Sequence, residues 1–195
     1  MARQYFNSQL ADSLIVAASI TPTTTKTSIF TPAQANQAFP IGFGQNAPFA
    51  GQIYEFACGG LITTPATGTL VVDPYFGPGT TATAFGTDLG ASAAQTVTAS
   101  LSNSPWRMEG NIVFRTISGV ATTSTAWISG NFQGQGTLAT AGGGWSIAFG
   151  STAAVSVDTT GTGTAGTFGA LNFAVTFSVT GATISAQWTS MRSLN

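Results

Sequence analysis

Between Trp106 and Ile117 apolar and polar side chains alternate along the chain. Trp106, Met108, Ile112 and Phe114 fall on one side with Gly110, and Arg107, Glu109, Asn111, Val113 and Arg115 fall on the other. A period of two is that of a β-strand with one face on a core, because successive strand side chains point to opposite faces. The same alternation recurs from Leu171 to Val179, where Leu171, Phe173, Val175, Phe177 and Val179 alternate with Asn172, Ala174, Thr176 and Ser178. No stretch sustains the 3.6-residue period of a helix.

Weaker strand signals lie at Ser13–Ser19, Thr27–Thr31, Gln52–Ala57, Thr69–Val72, Gln95–Leu101, Ala126–Phe132, Trp145–Phe149, Ala154–Val157 and Ile184–Trp188. Turn clusters separate them: Thr63–Gly68, Phe76–Gly79, Gly134–Gly136, Gly142–Gly144 and the low-complexity tract Thr159–Gly166. Pro74 should end a strand or lie at an edge, since it cannot donate to a ladder. Many short strands with Gly and Pro punctuation predict an all-β fold, an antiparallel jelly-roll sandwich. A chain of 195 residues is expected to form one such domain, burying roughly 70% of its unfolded surface. The domain is placed at residues 13–195, with residues 1–12 as an N-terminal arm.

Chemistry is constrained by scarcity. Five Lys and Arg, six Asp and Glu and no His make 6% charged residues, where a soluble domain carries about 25%. Without His there is no Ser-His-Asp triad, no Cys-His pair and no His-based metal site. The acids are Asp12, Glu55, Asp73, Asp88, Glu109 and Asp158, and none falls in a tight constellation or a calcium-loop pattern. No phosphate-cradling Gly-rich motif joins a strand to a helix, so the glycines are assigned to turns and bulges. The expectation is a chain that is no enzyme and has no cofactor and no metal.

The five cations, Arg3, Lys26, Arg107, Arg115 and Arg192, form no basic run, which argues against nucleic acid as a partner. Residues 1–30 hold only Arg3 and Lys26, too few for the RNA-binding arm of a small-virus coat protein. The apolar run Leu14–Ala18 is far short of the ~20 residues that span a bilayer, and no membrane segment or export signal is expected. Cys58 is the only cysteine, so it is read as a small buried hydrophobe. A charge-poor Thr/Gly/Ser surface without disulfide or export signal fits a virion component that folds in the host cytoplasm and leaves by lysis.

Arg107, Glu109 and Arg115 project from one face of one strand. They either compensate each other on an exposed sheet or form an ion pair between subunits of an oligomer. Arg3, Tyr5 and Phe6 join a charge to two aromatics ahead of the first strand, either to anchor a partner or to pack on their own domain. Trp127, Trp145 and Trp188 belong either to the core or to a surface that stacks on sugar rings.

The segment Asn103-Ser104-Pro105-Trp106-Arg107-Met108-Glu109-Gly110-Asn111-Ile112-Val113-Phe114-Arg115-Thr116-Ile117-Ser118-Gly119 resembles a pattern of tailed-bacteriophage virion proteins. In that pattern Pro-Trp opens a long alternating strand ending in Arg-Thr-Ile/Val-Gly, followed by a strand finishing in Gly, here Ala126–Gly130. Ser118, between Ile117 and Gly119, departs from it. Upstream, Gly51–Gly60 is similar to the early strand of that family and Thr69–Val72 to the next, so the resemblance spans residues 48–132. It implies a homotrimeric jelly roll on a phage head or tail. The expected function is that of a capsid decoration protein on the major capsid protein lattice, or alternatively of a head or tail fibre module that binds host glycans.

Overall fold

The computed structural model describes residues 9–14 (backbone only), 26–30, 49–77, 86–118, 124–135, 144–157 and 170–194. Arg3, Tyr5, Phe6, Asp158 and the tract Thr159–Gly166 lie outside them. The strands are β1 (Gln9–Leu14), β2 (Thr27–Ser28), β3 (Ile53–Thr64), β4 (Gly68–Gly77), β5 (Thr87–Asp88), β6 (Gln95–Val97), β7 (Leu101–Thr116), β8 (Ser124–Gly134), β9 (Trp145–Gly150), β10 (Val155–Val157), β11 (Ala170–Phe177) and β12 (Thr183–Ser193). They form two antiparallel sheets packed face to face, a β-sandwich. The larger runs β1-β12-β3-β7-β8-β10, with β9 also on β8, and the smaller runs β2-β11-β4-β5, with β6 also on β4.

The pairing is nested: β1 with β12, β2 with β11, β3 with β7, and β4 with β5 and β6. Early strands meet late ones, as in a long hairpin wrapped into two layers. The β8–β10 segment extends the larger sheet beyond β7.

Inward positions fill the space between the sheets. From the larger sheet come Tyr54, Phe56, Cys58, Met108, Ile112, Phe114, Ile128 and Phe132, and from the smaller Leu70, Val72, Phe76, Leu171, Phe173, Val175 and Phe177. Phe56 meets Phe173 across the interface at 5.1 Å between ring centroids, Phe149 meets Phe173 at 5.7 Å and Phe76 meets Phe114 at 5.5 Å. Cys58 is fully buried, and burial raises its thiol pKa well above the ordinary value. The inward face expected for Trp106–Phe114 is the one observed.

Gly110 and Gly130 are directly paired, flanked by Phe56 on one side and Phe149 on the other. Their missing side chains leave the floor over which those two rings approach, 6.3 Å apart and stacked. A Cβ on Gly110 would come within 2.7 Å of the Phe56 ring and closer still to the Ser129 carbonyl oxygen.

The structure moves several expected boundaries. β1 starts at Gln9, inside the segment expected as an arm, because residues 9–14 pair with β12. β4 passes through Pro74 instead of ending there. Pro74 faces Phe173 in β11, but Phe173 directs its carbonyl to Ile29 on the other side, and the Pro74 carbonyl accepts from Leu89 N–H away from β11. The missing donor therefore costs the β4–β11 ladder nothing. β3 and β4 run into the expected turn at Thr63–Gly68. The expected strand Gln95–Leu101 is broken after Val97, with Ser100 at φ 60°. Asn172 and Ala174, expected on an open face, are buried at 1% and 0% exposure.

Gly110→Ala is expected to lower the unfolding free energy by about 3 kcal/mol, since the added methyl must displace backbone or Phe56. Gly144→Ala, whose Cβ would meet nothing nearer than 3.6 Å, should change it by less than about 0.5 kcal/mol. Urea midpoints measure both.

Candidate functional site

The outward face of the larger sheet collects most of the described charges. One register line reads Trp188, Gly59, Arg107 and Gln133 across β12, β3, β7 and β8. The next reads Ser190, Ala57, Glu109 and Asn131, and the third Arg192, Glu55, Asn111 and Ser129. Arg107 Nη2 lies 2.6 Å from Glu109 Oε2 within β7. Arg192, directly opposite Glu55, bonds its Oε2 from Nη2 at 2.6 Å and from Nε at 2.7 Å. All four side chains are solvent-facing, so each pair stabilises the fold by only about 0–1 kcal/mol.

The three charges expected to act together are divided. Arg107 and Glu109 pair with each other, while Arg115 lies six residues beyond Glu109, roughly 20 Å along the strand. There the β7–β8 register shifts between Phe114 and Thr116, and Arg115 is exposed without an ion pair among the described residues. The pair Arg192–Glu55 was not legible, because its partners are 137 positions apart and only the β3–β12 register brings them opposite.

The tryptophans also divide. Trp106 and Trp145 stack on either side of Phe132, at 5.1 and 5.0 Å, and Trp106 Nε1 donates to the Leu61 carbonyl. Trp127 and Trp188 are half-buried on the outward face. Trp188 reaches it through an irregularity between Ala186 and Trp188. Gln187 is the extra residue, and it reverses the alternation so that Thr189, Met191 and Ser193 point inward. The indole lies across Gly59, where a Cβ would come within 2.7 Å of Nε1 and 2.8 Å of Cε2 and Cζ2. Beside it is a hollow of about 250 Å³ lined by Glu55, Ala57, Arg107, Trp188, Ser190 and Arg192.

At the other end of this face Ile53, Val113 and Trp127 are aligned across β3, β7 and β8. Leu194 continues the line, its N–H donating to the Ile53 carbonyl. Leu194 is 42% exposed, and Phe49, on the turn into β3, is 49% exposed. Arg115 flanks this apolar row.

A second group of charges, Lys26, Asp73 and Asp88, lies at the smaller sheet. Asp73 is 1% exposed on its side chain, 3.3 Å from Lys26 Nζ, which lies 3.8 Å from Asp88. Neither Asp73 oxygen has an aligned hydrogen bond. Lys26 donates to the Tyr75 hydroxyl at 2.6 Å and sits 5.3 Å from its ring centroid. Asn172 Oδ1 accepts from Ser28 Oγ and from Phe173 N–H, while its Nδ2 is buried without a partner. Burial raises the Asp73 carboxyl pKa above its ordinary value, opposed by the Lys26 charge. The hydrogen bond to Tyr75 and, against the cost of burial, the charge of Asp73 hold Lys26 above its own. Asp73 and Asp88 thus share one cation, but an acid so enclosed offers no open side to a substrate. Among the described residues no group of three or more Cys, Asp or Glu is placed to hold a metal.

No protein-family model matches the chain, and no curated protein or solved structure does so.

Because burial outweighs Lys26, the charged form of Asp73 is the disfavoured one in the fold. A carboxyl raised by folding contributes stability that is complete below its ordinary value of 3.8 and is lost as pH rises through the raised one. Asp73→Asn should therefore be more stable than the parent at about pH 7 and lose that advantage near pH 3.5. Urea midpoints at the two pH values test this, and a less stable variant at pH 7 would assign net stabilisation to the ion pair.

Proposed function

We propose that the chain is a non-enzymatic structural protein of a bacteriophage virion, a homotrimer that decorates the major capsid protein lattice. The observation that carries this reading is the apolar row Leu194–Ile53–Val113–Trp127, with exposed Phe49 and Leu194 beside Arg115. Aromatic and Arg side chains are what protein interfaces enrich. A monomer with so few charges leaves such a row uncompensated, and a three-fold contact covers it. Each apolar Å² removed from water stabilises the assembly by about 25 cal/mol.

The nested strand pairing supports the jelly-roll reading, with β8–β10 as an extension of the larger sheet. Charges already paired within the chain cost less to bring near a partner than isolated ones. In this reading the trimer closes through the apolar row, and Arg3, Tyr5 and Phe6 reach the capsid.

Light scattering at micromolar concentration is expected to give a three-chain mass, and the protein is expected to sediment with emptied capsids of a phage that carries it. Val113→Glu and Trp127→Ala should weaken the trimer roughly 30-fold or more. A monomer that leaves capsids unbound would overturn the proposal.

A further inference from the structure

We infer that the hollow beside Trp188 is a binding site for a single neutral hexopyranose ring, independent of how the subunits assemble. Three features converge on it. The Gln187 irregularity and the bare backbone of Gly59 place an indole on the outward face, where an alternating strand would have turned it inward. Glycine in a strand interior and a broken register both weaken a sheet, so the indole is held at some expense to the fold. An aromatic face next to polar groups suits a sugar, whose axial C–H groups meet the ring while its hydroxyls meet the polar wall.

The polar wall is supplied by the two ion pairs. Both Arg192 contacts fall on Glu55 Oε2, which leaves Oε1 as an acceptor among the described residues. Arg107 spends only Nη2 on Glu109, so its Nε and Nη1 remain as donors, and the Ser190 hydroxyl can do either. An acceptor and a fork of donors side by side match a pair of neighbouring hydroxyls.

Charge and size decide the ligand class. Arg107 is matched by Glu109 and Arg192 by Glu55, so no unmatched cation is left for a phosphate or carboxylate. The site therefore selects a neutral ring over an anionic one. A volume of about 250 Å³ falls just below the usual ~300–1,000 Å³ of ligand pockets, a size that suits one ring. One ring with few contacts binds at about millimolar strength, and repeated copies would raise it by avidity. The near rim of the hollow, Glu55 and Arg192, lies one same-face position, about 7 Å, from Ile53 and Leu194 of the apolar row, and its far rim, Trp188 and Arg107, about 20 Å, so a contact confined to that row leaves the Trp188 rim open.

The test is saturation-transfer NMR on the intact protein with glucose, galactose, mannose and N-acetylglucosamine, each alone, and with inorganic phosphate. An array of oligosaccharides would then separate a free sugar from the terminal ring of a glycan. At least one neutral hexose should give a signal, and phosphate none. Trp188→Ala should weaken binding at least tenfold and Trp188→Phe by less. Ala57→Leu, which fills the floor and keeps the indole, should weaken it as much as Trp188→Ala, with an unfolding midpoint near that of the parent. Silence from every sugar at tens of millimolar, preference for phosphate, or undiminished binding in Ala57→Leu would overturn the assignment. Mass measured on the same samples keeps this result separate from that of the trimer.

Discussion

The two sheets are held together by an aromatic seam, Phe56 and Phe149 of the larger sheet against Phe173 of the smaller, and Phe114 against Phe76. These rings bury fully only if each strand keeps its register, because a slip of one residue turns every inward side chain outward. The outward face inherits its order from that requirement. Glu55 meets Arg192 because their neighbours Phe56 and Met191 are paired and inward. Arg107 and Glu109 share a face because Met108 between them is buried. The surface chemistry of this protein is thus fixed from inside, by packing, and only weakly by its own ion pairs.

Scarcity of charge takes a definite form in three dimensions. Glu55, Arg107, Glu109 and Arg192 are spent in pairs on one sheet, and Lys26, Asp73 and Asp88 gather on the other. Arg115 stands apart, next to the apolar row. The two groups differ in energetics. The first is hydrated and adds little to stability. The second encloses a carboxylate whose burial outweighs its cation, and its lysine also reaches the Tyr75 hydroxyl and ring.

The strands were legible where alternation was strict. Trp106–Phe114 and Leu171–Phe177 show their inward faces in the sequence, and the two-sheet architecture follows from them and from the turn residues. What was not legible depended on register or on local exceptions. Glu55 and Arg192 are joined only by the β3–β12 pairing. Trp188 faces outward because Gln187 interrupts the alternation, a change that composition does not announce. Pro74 stays inside a strand because its missing donor points away from the ladder. Asn172 and Ala174 look like an open face in sequence and are buried in the fold. The candidate site was half visible: Arg107 and Glu109 could be placed on one face, but the hollow and the apolar row each needed a partner strand.

If the chain assembles as proposed, the outward face of the larger sheet works in two parts, an apolar end covered by assembly and a Trp188 end left open. Hydroxyl-radical footprinting of the assembled protein, read residue by residue by mass spectrometry, separates the two ends. Trp127, Phe49 and Leu194 are expected to be protected relative to the dilute chain while Trp188 stays reactive. Protection of Trp188 with Trp127 exposed, or no difference between them, would contradict it.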